Sequence, residues 1–444
     1  MGKHPHTKRR NGRNQPIPLD YSKGRLASET LRLLEGQENK YQYEYDSNNL
    51  ITLIITTDGT TKYEYDDLNQ LTKETLPDGT QMDYEYDTVG NRVSKKITKD
   101  GVTKEVSSQY NEANQLVQVG NKKYVYDASG NLQSDGNRTY EYNEFDQLVK
   151  IKDSTGKTLV EYSYDEEGRR ISSNDSHGKT FYTYNGNQVL YEEDENKNVI
   201  KGYTYDDDGH PLTMFYKGVT YYYLTNYRGD VLAMTDESGK VVASYTYDTW
   251  GNILSQSGEM AEVNPYRYAG YRYDDDTKLY YLMARYYNPE NGVFLSQDPV
   301  RGNLLEPQTL NGFNYANNNP VMNVDPSGTI SKTISLGFNG YIKFIITLSA
   351  ISIKFCLTAG SLVNIGISFS AGGAAGFAVK KFLQWYLFPT LAAIITIPIA
   401  QGVVKSITKK TAGWAFKKFT KGKNWLKTVV FATTIQLPNL LMRR

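Results

Sequence analysis

A single cysteine, Cys356, in 444 residues rules out an intrachain disulfide and any cysteine-built zinc site, and leaves the redox compartment open. The N-terminal residues are polar and basic (His4, Lys8, Arg9, Arg10, Arg13) and lack the apolar stretch of a secretory signal, so residues 1–40 are expected to be a disordered leader. A nucleic-acid-binding arm is the alternative, disfavoured because no aromatics are interleaved with the bases. The third absence lies at the other end. From Thr329 to Arg444 there is no Asp, Glu or His. A metal-dependent nuclease needs carboxylates or histidines, a base deaminase needs zinc ligands and a glutamate, and a Ser-His-Asp hydrolase needs its base, so none can be assembled there.

Charge divides the chain at the same place. Of 50 Lys and Arg, 15 (13 Lys, 2 Arg) fall after Gly328, which leaves 35 bases against all 49 acids in the first 328 residues. A basic segment of +15 behind an acidic one of −14 marks a domain boundary and two different kinds of partner.

Tyrosine is in excess, 38 against 15 Phe and 4 Trp, and it is periodic. Tyr43-Glu-Tyr45-Asp46, Tyr63-Glu-Tyr65-Asp66, Tyr84-Glu-Tyr86-Asp87, Tyr140-Glu-Tyr142-Asn143, Tyr162-Ser-Tyr164-Asp165, Tyr203-Thr-Tyr205-Asp206 and Tyr245-Thr-Tyr247-Asp248 are copies of one unit, recurring at roughly 20 residues. In a strand, residues i and i+2 share a face, so each Tyr-x-Tyr sets two rings on one side of a sheet. Asp follows, then Gly or Asn three or four residues on (Gly90-Asn91, Gly130-Asn131, Gly168, Gly251-Asn252). Asp caps a turn with its side chain while Gly or Asn takes a positive φ, and Asp58-Gly59, Asp78-Gly79 and Asp100-Gly101 supply the return turns. Each repeat is therefore one β-hairpin, and the aspartates are turn formers rather than calcium ligands, since no Asp-x-Asp-x-Asp-Gly loop is present. The expected fold is mainly β, a spirally wound antiparallel sheet of repeats over residues 41–221, followed by an α-helical hydrophobic C-terminal domain.

These repeats resemble the YD repeats of Rhs and WapA-type polymorphic toxins, of toxin-complex C subunits and of the teneurin YD shell. The likeness is most specific over 222–328, through Tyr227-Arg-Gly-Asp230, Tyr268-Ala-Gly270, Leu279-Tyr-Tyr281-Leu-Met-Ala-Arg285-Tyr286-Tyr287-Asn288-Pro289, Phe294-Leu-Ser-Gln-Asp298-Pro299 and Asn323-Val-Asp325-Pro326-Ser-Gly328, which is similar to the Rhs repeat-associated core. The resemblance implies a shell that carries a variable C-terminal toxin, and a core that cleaves itself beside Asp-Pro-x-Gly by means of aspartates. By position these are Asp298 and Asp325, with Arg285 or Arg301 to hold the site and the cut at Gly328, Thr329 and Ile330. Two carboxylates can share the work, one activating water and the other protonating the leaving amide. The family carries Leu where this chain has Thr329. Without the resemblance, both Asp-Pro steps read as ordinary turn starters.

The C-terminal segment, 329–444, contains two uncharged stretches, Phe355 to Val379 and Phe382 to Val404, each long enough as a helix to cross about 30 Å of hydrocarbon, so a membrane-spanning helical hairpin is expected over 355–404. Trp414, Lys417, Lys418, Lys421 and Trp425 suit a cationic amphipathic helix on an anionic membrane surface. The expectation is a polymorphic toxin scaffold bearing a pore-forming or permeabilising effector, exported to the surface or medium by a specialised route. Its partners would be a target-cell membrane and a cognate immunity protein, with nucleic acid disfavoured and no cofactor, metal or small-molecule substrate called for. The alternative is a surface binding scaffold whose tail is a membrane anchor or an inactive remnant.

Overall fold

The computed structural model describes residues 19–22, 25–32, 38–206, 209–300, 302, 307–329 and 331–334, and the backbone of four strands at 341–346, 350–356, 362–368 and 431–436. The chain divides into two compact units, Lys8–Leu336 and a second made of Met1–Thr7 and Gly337–Arg444.

The first unit is a wall of hairpins. An eleven-stranded sheet runs from Leu19–Ser22 to Lys122–Lys123 and a fourteen-stranded sheet from Val125–Tyr126 to Ile253–Ser257, with every strand paired to its neighbours in chain order. The local chemistry is as the repeat implies. Asp46 Oδ1 accepts the main-chain N–H groups of Asn48 (2.8 Å) and Leu50 (2.9 Å), and Asp87, Asp127, Asp165 and Asp248 do the same two and four residues ahead. The third residue after each has a positive φ: Asn49 67°, Gly90 81°, Gly130 86°, Gly168 80°, Gly251 93°. Residue types that tolerate this conformation are therefore required there, and the register of the pair shifts just before the second tyrosine.

The two tyrosines of a repeat differ in what their hydroxyls do. The second donates to a main-chain carbonyl at the first or second residue of an earlier strand: Tyr45 to Leu26, Tyr65 to Ile51, Tyr86 to Leu71, Tyr205 to Val189 and Tyr247 to Val231, all at 2.6 to 2.8 Å. Several first tyrosines donate to a buried carboxylate instead, Tyr43 to Glu29 (2.6 Å), Tyr140 to Asp135 (2.7 Å) and Tyr203 to Glu192 (2.5 Å). In these repeats the ring packs inward while its hydroxyl stays bonded, which is what lets tyrosine stand where phenylalanine would otherwise serve.

Against the wall packs a core with its own four-stranded sheet, Arg272–Asp274, Leu279–Leu282, Arg285–Asn288 and Val293–Phe294. Tyr268, Tyr280, Tyr287, Phe294 and Tyr315 are fully buried in it. Charge pairs join it to the wall: Arg170 meets Asp274 at 2.6 Å, and Glu192 meets Arg272 at 2.8 Å. Glu74 accepts from the Thr249 N–H (3.2 Å) and from the Thr249 hydroxyl.

Three expectations are corrected. Within the expected disordered leader, Leu19–Ser22, Arg25–Arg32 and the start of the strand from Glu38 are ordered strands of the wall. The sheet of repeats does not stop at 221 but continues through Ser257. The second unit is not helical where it is described: Tyr341–Ile346, Ala350–Cys356, Leu362–Ser368 and Phe431–Gln436 form an antiparallel sheet. The proposed first helix is therefore strand over 355–356 and 362–368. Ile351-Ser-Ile-Lys-Phe-Cys356 and Val363-Asn-Ile-Gly-Ile-Ser368 alternate apolar with small or polar residues, the period of a strand, and are rich in β-branched side chains. Counting uncharged length overlooked that period. Among the described residues no helix is long and apolar enough to cross a membrane. Residues 369–430, with Trp414, Lys417, Lys418, Lys421 and Trp425, lie outside the described residues, as do Ile330 and Arg301.

Candidate functional site

The core sheet places one arginine where both expected aspartates converge on it. Arg285 opens the strand Arg285–Asn288 and is nearly fully buried. Its Nη2 lies 2.7 Å from Asp298 Oδ2 and 3.6 Å from Asp325 Oδ2, and its Nη1 donates to the Gly312 carbonyl at 2.8 Å. Its Nε donates to the carbonyl oxygen of Gly328. The guanidinium also lies over the Phe294 ring, 3.6 Å from its centroid. The planar fork of arginine can reach carboxylates and carbonyls on several sides at once; a lysine could not.

Each aspartate is held by its main chain. The Asp298 N–H donates to the Gly312 carbonyl (2.9 Å), and its Oδ1 accepts the Val300 N–H (2.7 Å) across Pro299. The Asp325 N–H donates to the Tyr271 hydroxyl (2.8 Å), which is itself bonded to the Tyr315 hydroxyl (3.1 Å). Asp325 Oδ1 accepts the Thr329 N–H at 3.1 Å, and Gly328 has φ +69°. This is the turn of the repeats used once more. A Cβ on Gly328 would fall 2.4 Å from the Leu282 carbonyl oxygen, so glycine is required there on two counts.

Electrostatics separate the members. Burial pushes the Asp298 carboxyl above its ordinary pKa, the Arg285 charge pulls against that, and the Asp325 charge adds to it. Burial lowers Arg285 from 12.5 to about 10, with both aspartates opposing. Two carboxylates on one guanidinium, beside a carbonyl held by the same guanidinium, form a group able to move protons around a polarised amide. A cavity of about 470 Å³, lined by Arg138, Gln256, Lys278 and Glu290 among others, contains none of these groups.

The structure thus brings Asp298, Asp325, Gly328 and Thr329 together around Arg285, while Arg301 lies outside the described residues. The buried carboxylates had no signal in the sequence beyond an acid inside a strand: Glu192 ties the wall to the core through Arg272, while Glu29 and Glu74 reach the main chain of Tyr227 and Thr249 in turns of the fourteen-stranded sheet.

A wall of consecutive YD hairpins closed against a tyrosine-rich core defines a YD-repeat shell protein. The chain belongs to the teneurin YD-shell family, whose model matches residues 19–321. It is similar to the tRNA3(Ser)-specific nuclease WapA of Bacillus spizizenii and to the tRNA nuclease WapA of Bacillus subtilis strain 168, each 46% identical over 268 residues, 59% of this chain. It spans 12% of the length of those relatives. The toxin protein Tse5 of Pseudomonas aeruginosa is 39% identical over 75 residues, 17% of this chain and 5% of that protein. Among solved structures, that of TcdB2-TccC3-TEV superposes with a TM-score of 0.58 at 19% identity, over 70% of this chain and 18% of that one, a likeness of fold.

Proposed function

We propose that this chain is part of a Rhs-type polymorphic toxin, a scaffold that carries residues 329–444 as its effector and severs itself from them at the Gly328 carbonyl. The observation that carries the reading is Arg285, whose side chain contacts Asp298, Asp325 and the Gly328 oxygen together. Arg285 stabilises the oxyanion that forms when that carbonyl is attacked, worth about 3 kcal/mol in barrier for one well-placed donor. Asp298, whose carboxyl burial pushes above its ordinary pKa against the pull of Arg285, and Asp325, bonded to the Thr329 N–H, handle the proton that must reach the departing nitrogen. The cut is intramolecular. Purified full chain is expected to yield a C-terminal fragment of about 115 residues at a rate independent of concentration, and Asp298→Asn or Asp325→Asn to leave the chain intact by denaturing electrophoresis and mass. An uncleaved wild-type chain returns both aspartates to the role of turn residues.

For the effector, the membrane reading is supported by the +15 charge, by the uncharged stretches 355–379 and 382–404, and by the absence of Asp, Glu and His. Insertion as a helical hairpin is withdrawn over 355–356 and 362–368, which are strand. The names of the two WapA relatives favour a second reading, with tRNA as the target, and the same +15 charge suits a polyanion. This reopens the nucleic-acid partner that the sequence had disfavoured. Full chain, before and after cleavage, added to dye-loaded anionic liposomes and to total tRNA separates them: leakage with intact tRNA supports the first, cut tRNA without leakage the second. A cognate immunity protein and export to the cell surface or medium belong to either reading.

A further inference from the structure

The turn at Asp325 differs from the turns of the repeats in the residue after its glycine. That residue is Thr329, and its hydroxyl is held: Thr329 Oγ1 and Ser327 Oγ are 2.8 Å apart, while the Ser327 carbonyl accepts the Ala284 N–H at 3.1 Å. A hydroxyl on the residue after a peptide bond can reach the preceding carbonyl carbon by closing a five-membered ring. Threonine is among the side chains that form covalent intermediates in this way. All three participants in such a step are anchored here. The Gly328 oxygen rests on Arg285 Nε, the Thr329 nitrogen donates to Asp325 Oδ1, and the hydroxyl is oriented by Ser327. Glycine on the acyl side, with no Cβ and φ +69°, leaves the carbonyl carbon unshielded.

We propose that Thr329 is the nucleophile of the self-cleavage, so that the Gly328–Thr329 bond breaks through an ester rather than by direct attack of water. This rests on reading Arg285, Asp298 and Asp325 as a cleavage site. In the first step a bond forms from Thr329 Oγ1 to the Gly328 carbonyl carbon, and the charge on the oxygen is held by Arg285. The hydroxyl proton is transferred to the Thr329 nitrogen, with Asp325 as its carrier, as the C–N bond breaks. The product is a Gly328 ester on the Thr329 hydroxyl with a free α-amino group. In the second step solvent water adds to the ester carbonyl, the C–O bond breaks, and Gly328 carboxylate and the Thr329 hydroxyl are left. No oxidant or reductant enters.

The test uses the full chain with Thr329→Ala, Thr329→Ser and Thr329→Cys, followed by intact mass and the N-terminal residue of the fragment. The proposal expects a wild-type fragment beginning at Thr329, retained cleavage in the serine variant, and loss of cleavage in the alanine variant with an unchanged thermal midpoint. Neutral hydroxylamine should accelerate release from the wild type, and an added thiol should release the fragment from the cysteine variant. An alanine variant that cleaves at the wild-type rate between residues 328 and 329 overturns the ester route and leaves the aspartate reading standing, whereas a fragment beginning at Ile330 overturns both, because the cut is then not at the Gly328 carbonyl. A wild-type chain that is never cleaved overturns both.

Discussion

Replacing Glu192 by Gln tests whether buried ion pairs hold the wall to the core. Glu192 is fully buried on the strand Gln188–Glu193 and meets Arg272 of the core at 2.8 Å, the Tyr203 hydroxyl at 2.5 Å and Lys201 at 3.6 Å. Burial alone would raise its pKa; Arg272, then Lys201 and the Tyr203 hydroxyl, reverse that and hold it at about 2 against an ordinary 4.5. At about 1.36 kcal/mol per factor of ten in proton affinity, this carboxylate contributes about 3 kcal/mol. Because the folded value is the depressed one, the contribution is complete above 4.5 and is lost as pH falls through 2; less than half remains at pH 3. The variant also leaves Arg272 buried without its counter-charge, a loss of about 3–5 kcal/mol in comparable pairs. Urea unfolding at pH 7 and pH 3 is the assay. Glu192→Gln should cost about 3 kcal/mol at pH 7, and the gap to wild type should shrink at pH 3. A cost below about 1 kcal/mol at pH 7, or one that does not change with pH, refutes the argument.

Glu74 should behave with the opposite sign. Burial and then Asp248 push its carboxyl up towards neutrality, so the wild type loses stability as pH rises through that raised value. Glu74→Gln should remove that slope and unfold later than wild type at pH 8, as read by thermal melts; an unchanged slope sinks the assignment. Gly251→Ala should cost about 2–3 kcal/mol, because φ is +93° and the new Cβ would fall 2.8 Å from the ring of the fully buried Tyr268. Denaturant midpoints check it, and a neutral result would mean that the turn relaxes. Tyr65→Phe should lose about 1 kcal/mol with its bond to the Ile51 carbonyl, whereas Tyr142→Phe should be neutral or stabilising, since the buried Tyr142 hydroxyl has no hydrogen-bond partner among the described residues. Equal losses in the two would contradict this contrast.

How far each element could be read depends on how local its cause is. Tyr-x-Tyr, the Asp that caps and the Gly or Asn three residues on act within one hairpin, so strand, turn and sheet class are legible residue by residue. The candidate site was half legible. Asp298 and Asp325 stand in recognisable Asp-Pro steps, but nothing in the order of residues distinguished Arg285 from Arg301. Arg285 is placed at the site by the core sheet, which brings it beside residues separated from it by 13 and 40 positions in the chain. In the second unit the alternation of Ile351, Ile353 and Phe355 with Ser352, Lys354 and Cys356 was present to be read. A count of uncharged residues cannot distinguish a long helix from two strands and a turn; the period can.

What the sequence by itself determined is therefore the hairpin, its turns and its repetition, because backbone sterics and side-chain capping operate over four or five residues. Only the tertiary structure decided which acids are buried as clasps, as with Glu192 against Arg272 and Glu74 against Thr249, and which guanidinium gathers Asp298, Asp325 and the Gly328 carbonyl. A carboxylate on a strand looks the same in sequence whether it faces water or an arginine 80 residues away. Burial, which turns one of these into a solvated charge and the other into a clasp, is a property of the packed core alone.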